Sequence, residues 1–228
     1  MNTDKLSIIV SEQHTVSALR VRPADAWAMY VLAHGAGAGM HHAFLEWIAE
    51  RLDGAGVATL RFQFPYTEAG GRRPDPPALL EATVRAAVAR AAQEGLPLFA
   101  GGRSMGGRMT SQAHAHEPIP GVRGLVFLGF PLHPPNRPSV SRASHLDRVT
   151  IPMLFLQGTR DALADIDLLR GVCSTLGSRA RLHVVNDGDH SFKVLKRSGR
   201  DADAVMDEIR DAVTGFMRNV AGVAKETT

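Results

Sequence analysis

Apolar positions along this chain follow two alternating rhythms. Trp27–Ala33, Val57–Phe62 and Leu125–Leu128 are runs with little polar interruption, as expected for strands buried on both faces of a parallel sheet. Between such runs the apolar residues recur at three- and four-residue spacing. Phe44, Trp47, Ile48 and Leu52 mark one helix of this kind, over Phe44–Gly54, and the glycine stops it. The same reading predicts strands at Leu6–Val10 and Val16–Val21, joined by a polar turn, and at Leu96–Ala100, Met153–Leu156 and Arg181–Val185. It predicts helices over Ala78–Gln93, from Ser104 to about His116, and over Ala164–Leu176 and Asp201–Val220. Thr67–Pro77, rich in Gly, Arg and Pro, reads as a loop, and the last few residues are expected to fray. Strand and helix alternate throughout, which predicts an α/β protein built as a three-layer α/β/α sandwich.

Composition narrows the function classes. A chain of 228 residues, 44% apolar and 21% charged, buries a sizeable core. The net charge is +3 and acids are scattered among the arginines, so no basic stripe for nucleic acid is expected. No stretch approaches the roughly 20 apolar residues that span a bilayer. No signal peptide is visible either, so the expected location is cytoplasmic, without membrane attachment. The single cysteine, Cys173, excludes an intrachain disulfide and reads as a packing residue. No linker, repeat or change of composition divides the chain.

The densest chemical signal is Gly102-Arg103-Ser104-Met105-Gly106, set between a strand-like and a helix-like run. A serine hydroxyl is a poor nucleophile unless it is held clear of its surroundings beside a base, and a strand-to-helix elbow with small flanking residues does this. The competing reading of Ser104 is a helix N-cap. A base and an acid downstream favour the nucleophile. Asp161 follows the strand at Met153–Leu156, and His190 follows the strand at Arg181–Val185 in Asp187-Gly188-Asp189-His190. Asp165, near Asp161, reads as the first-turn acid of its helix. Asp187 and Asp189 read as turn residues.

These residues, together with Leu32-Ala33-His34-Gly35-Ala36-Gly37, Phe64-Pro65-Tyr66 and the continuation to Gly107-Arg108, resemble the α/β-hydrolase superfamily from Leu6 to about Val220. Within it the chain resembles compact dienelactone-hydrolase-like proteins related to a chromatin-complex subunit. The resemblance implies one α/β-hydrolase domain over residues 1–228, with a mostly parallel central sheet. It implies Ser104 as nucleophile, Asp161 as acid and His190 as base, with the backbone N–H groups of Ala36 and Met105 as the oxyanion hole. His34 is expected to brace the oxyanion loop.

Other motifs fit less well. Gly35-Ala36-Gly37-Ala38-Gly39 departs from the dinucleotide fingerprint at Met40, and no acid ends the next strand. Gly102 to Gly107 has phosphate-loop spacing, but Arg108-Met109 stands where Lys and Ser or Thr are required. His41-His42 lacks a third ligand, so neither metal nor cofactor is expected. Phe130 and Leu132 are read either as acyl-pocket residues or as loop packing, and Tyr66 as a possible pocket border. Arg103 and Arg108 are read as braces of the elbow, while the wider set of loop arginines is open to anion binding or surface roles. The short stretch before Met153 leaves no room for a large lid. The expected function is hydrolysis of a small carboxylic ester or thioester. Acyl transfer and a noncatalytic binding module remain alternatives, and oligomeric state is open.

Overall fold

The computed structural model describes residues 2–224. Eight strands form one sheet: β1 (Thr3–Ser11), β2 (His14–Val21), β3 (Ala28–Ala33), β4 (Val57–Phe62), β5 (Leu98–Arg103), β6 (Val122–Leu128), β7 (Met153–Gly158) and β8 (Ala180–Val185). Their order across the sheet is β1-β2-β4-β3-β5-β6-β7-β8. β1 and β2 form an antiparallel pair at one edge and β2 meets β4 antiparallel, whereas β4 through β8 run parallel. The longer helices are α1 (Ala43–Asp53), α3 (Pro77–Ala92), α4 (Met105–His116), α5 (Ile166–Leu176) and α6 (Ala202–Ala221), and α2 is a single turn over Pro65–Glu68.

The two-residue period of the strands sorts their side chains into two cores. In β3, Met29, Val31 and Ala33 pack with α3, α4 and α5, while Ala28, Tyr30 and Leu32 pack with α1 and α6. β7 divides in the same way, Met153 and Phe155 to one side and Leu154 and Leu156 to the other. Helices therefore cover both faces of the sheet, which is the three-layer sandwich.

The structure departs from the sequence reading at local boundaries. The stretch expected as a loop from Thr67 begins inside α2, because Pro65 occupies the first helical position, where its missing N–H costs nothing. β5 begins at Leu98 rather than Leu96 and runs three residues past Ala100, through Gly101 and Gly102 to Arg103. Gly102 sits at φ 144°, and a Cβ there would lie 2.7 Å from Ala33 N on the neighbouring strand, so only glycine permits this approach. α5 starts at Ile166 rather than Ala164, since Asp165 is the cap itself: its Oδ1 accepts from the N–H groups of Asp167 and Leu168, each at 3.0 Å. The expected fraying at the C-terminus falls beyond residue 224, outside the described residues.

The β6–β7 connection contains only the short 3₁₀ turns Ser141–Ala143 and Leu146–Arg148. Among the described residues, no large lid covers the carboxyl edge of the sheet. No helix among the described residues is long and apolar enough to cross a membrane. Cys173 is buried in the core, and burial pushes its thiol up to about 11.

Candidate active site

Ser104 occupies the N-cap position of α4, but its side chain caps nothing. Its backbone is forced into φ 51°, ψ −119°, a region that costs a non-glycine residue on the order of 1–3 kcal/mol. That strain is held by close packing. Gly106 lies against β3, where an added Cβ would come within 2.5 Å of Ala33 O, and Ser104 N–H donates to Leu128 O at 3.2 Å. The result is a half-buried Ser104 that lines a cleft at the carboxyl end of β5.

His190 Nε2 lies 2.9 Å from Ser104 Oγ, and His190 Nδ1 lies 2.7 Å from Asp161 Oδ2. The Asp161 side chain has no exposed surface, while the His190 side chain is 23% exposed. A buried carboxylate needs donors, and Asp161 has three. Leu163 N–H donates to Oδ1 at 2.8 Å, and the Gln157 amide and His190 both approach Oδ2. With Asp161 ionised, Nδ1 carries the proton and Nε2 is left as an acceptor for the serine hydroxyl. The turn that carries His190 is shaped by Asp189, whose Oδ1 accepts from Ser191 N–H at 2.7 Å and Lys193 N–H at 3.0 Å.

Ala36, Ser104 and Met105 line one open cleft of about 340 Å³. Met105 opens α4, so its N–H has no intrahelical partner. Ala36 N–H donates to no group among the described residues. Both residues line the cleft that holds Ser104. The Ala36 loop is held by His34, which is wholly buried. His34 Nε2 accepts from Phe64 N–H at 3.2 Å, which leaves Nδ1–H to donate to Gly35 O at 2.8 Å. Burial lowers His34 to about 4, so it stays neutral in this bracing position.

The remaining candidates are placed as follows. Phe130 and Leu132 have no exposed surface and cannot touch a ligand here. Phe130 packs between Phe127 and Phe155, at ring-centroid distances of 5.3 and 5.6 Å. This corrects their reading as pocket residues; Pro131, between them in sequence, lines the cleft in their place. Tyr66 is buried to 5% exposure, and its hydroxyl accepts from Gly37 N–H at 3.3 Å, so it supports the Ala36 loop rather than bordering the cleft. Arg103 does brace the elbow, donating to Ser191 Oγ at 2.8 Å. Arg108 instead lines the cleft, together with Arg142.

Gln157 was not singled out from the sequence. The available signal was a lone amide at the end of the apolar run Met153–Leu156, four residues before Asp161. Three other histidines bond elsewhere: His133 accepts from Asp165 N–H at 2.8 Å, His145 pairs with Ser111 at 2.7 Å, and His183 pairs with Glu208 at 2.7 Å. No group of three His, Cys, Asp or Glu side chains suited to a metal ion occurs among the described residues.

A family model described as an alpha/beta hydrolase domain matches residues 26–218. Among solved structures, a dienelactone hydrolase from Anabaena variabilis superposes with a TM-score of 0.73 at 20% identity, over 96% of this chain and 97% of that one. An α/β serine hydrolase without lid from Xanthomonas campestris gives 0.71 at 18% identity, over 100% and 97% of the two chains. Est1E from Butyrivibrio proteoclasticus, solved with ferulic acid bound, gives 0.73 at 16% identity, over 95% and 99%. At these identities the likeness is one of fold.

Proposed function

Because the chain belongs to the α/β-hydrolase domain family, we propose that it is a serine hydrolase cleaving a small carboxylic ester or thioester through an acyl-enzyme on Ser104. One observation carries this reading above the rest. Ser104 stands where a serine would cap α4, yet its Oγ makes no cap bond and meets His190 Nε2 at 2.9 Å.

In the first half-reaction, Ser104 Oγ attacks the carbonyl carbon and its proton passes to His190 Nε2. The new oxyanion accepts from the N–H groups of Ala36 and Met105, each such donor worth about 3 kcal/mol in the transition state. Asp161 holds the imidazolium in place. Collapse of the adduct breaks the bond to the leaving oxygen or sulfur, which takes the proton back from His190. Water then attacks the acyl-enzyme, giving one proton to His190. That proton returns to Ser104 Oγ as the carboxylic acid departs. The open cleft and the short β6–β7 connection support small substrates reached from solvent.

The test is intact-mass spectrometry after treatment with a fluorophosphonate probe, beside a Ser104→Ala control. A single adduct that disappears in the control is expected. A folded protein that takes no adduct would end the serine-hydrolase reading.

A further inference from the structure

Two arginines share the cleft with Ser104, and among the described residues their side chains have no hydrogen-bond or ion-pair partner. Arg108 lies one helical turn beyond Ser104, and its N–H donates to Ser104 O at 3.1 Å, so both side chains rise from the same end of α4. Arg142 enters from the 3₁₀ turn Ser141–Ala143 in the β6–β7 connection. Both residues are half-buried.

Other half-buried arginines are engaged. Arg20 pairs with Asp4 and Glu94, Arg85 donates to the carbonyl of Glu117, and Arg103 to Ser191. Arg108 and Arg142 form no ion pair among the described residues, and they line the same cleft. Burial lowers the Arg108 pKa from its ordinary value, and the Arg142 charge lowers it further. Like charges brought together with little surrounding water are costly unless an anion completes them. Asp75 is the one carboxylate lining the cleft. It accepts from Tyr66 N–H at 2.8 Å, and it offsets at most one of the two positive charges.

We infer that the cleft selects substrates bearing a carboxylate, which Arg108 and Arg142 hold while Ser104 attacks the ester or thioester carbonyl. The inference rests on the serine-hydrolase reading above and adds the substrate class. Guanidinium forks match a carboxylate in geometry as well as in charge. A cleft of about 340 Å³ suits the half-ester of a short dicarboxylic acid. The carboxylate takes no part in bond making; it orients the chain so that the acyl carbonyl oxygen points at Ala36 and Met105.

The experiment compares monomethyl glutarate with methyl pentanoate, a neutral ester of similar length, by acid release in a pH-stat. The half-ester is expected to show a kcat/KM about 10- to 100-fold higher. In Arg108→Ala and Arg142→Ala this ratio is expected to fall toward one, and Arg142→Lys to retain part of it. Because the ratio is taken within each preparation, partial misfolding of a variant cancels.

Turnover of the neutral ester without preference for the half-ester would overturn the anion inference and leave the serine-hydrolase reading standing. Failure of the fluorophosphonate test would overturn the hydrolase reading instead. Calorimetric titration of Ser104→Ala with the same two esters tests recognition without turnover. If the half-ester binds no more tightly than the neutral ester, the inference fails.

Discussion

The Gln157 amide donates to Asp161 Oδ2, the same oxygen that faces His190 Nδ1. Gln157 is wholly buried, and its Oε1 has no partner, so the amide is held for the one bond its nitrogen makes. Being wholly buried it is out of reach of a substrate, and its contact with the site runs through Asp161. Gln157→Leu is expected to lower kcat for an activated ester by about 10- to 100-fold, with KM changed far less. Gln157→Glu should be worse, because it sets a second carboxylate against the first. An unchanged kcat in folded Gln157→Leu protein would remove Gln157 from this role.

Glycines divide sharply by what surrounds them. A Cβ at Gly106 would come within 2.5 Å of Ala33 O, and backbone cannot retreat. Gly106→Ala is therefore expected to destabilise by more than about 3 kcal/mol or to abolish soluble expression. Gly171, inside α5, has nothing within 4 Å of its hypothetical Cβ. Gly171→Ala should stabilise by about 0.5–1 kcal/mol, since it reduces the freedom of the unfolded chain without strain. Thermal melts of the two variants should move in opposite directions.

Stability should decline in acid because of buried histidines away from His190. Burial, the largest cause in both cases, lowers His34 and His145 to about 4 from an ordinary value of 6.5. The folded state keeps them neutral while the unfolded chain takes up protons. Their contribution is thus fully present above about 6.5, falls as the pH drops, and levels off below about 4. The loss across that window is on the order of 3 kcal/mol per histidine. Urea midpoints at pH 7.5 and 4.5 should differ accordingly; coincident midpoints would contradict it.

Leu132 belongs to the core, and its truncation should read as a core defect. Leu132→Ala is expected to cost about 2–5 kcal/mol of stability. The relative rates for esters of increasing acyl length should stay as they are in the parent protein. A changed chain-length profile would return Leu132 to the pocket.

Much of this molecule is legible from sequence, for reasons that are local. Continuous apolar runs specify strands buried on both faces, and α1 and α6 carry apolar residues at helical spacing. The placement of Ser104, Asp161 and His190 just after strands is a property of chain order, so their shared edge follows once the strands are parallel. The run Phe130-Pro131-Leu132 is different. All three residues are buried, and nothing local says which of them lines the cleft.

What the sequence determined by itself was the alternation of strand and helix, the serine between glycines at a strand-to-helix junction, and the positions of Asp161 and His190 after later strands. Periodicity, turn chemistry and chain order are all short-range. Only the tertiary structure decided that Pro131 and not Phe130 lines the cleft, that Gln157 stands behind Asp161, and that Arg108 and Arg142 share the cleft with Ser104. Those relationships join residues from different strands and turns, and they depend on the register and packing of the whole sheet. A side chain's direction is set by neighbours far away along the chain, and it is direction that makes a residue part of a site.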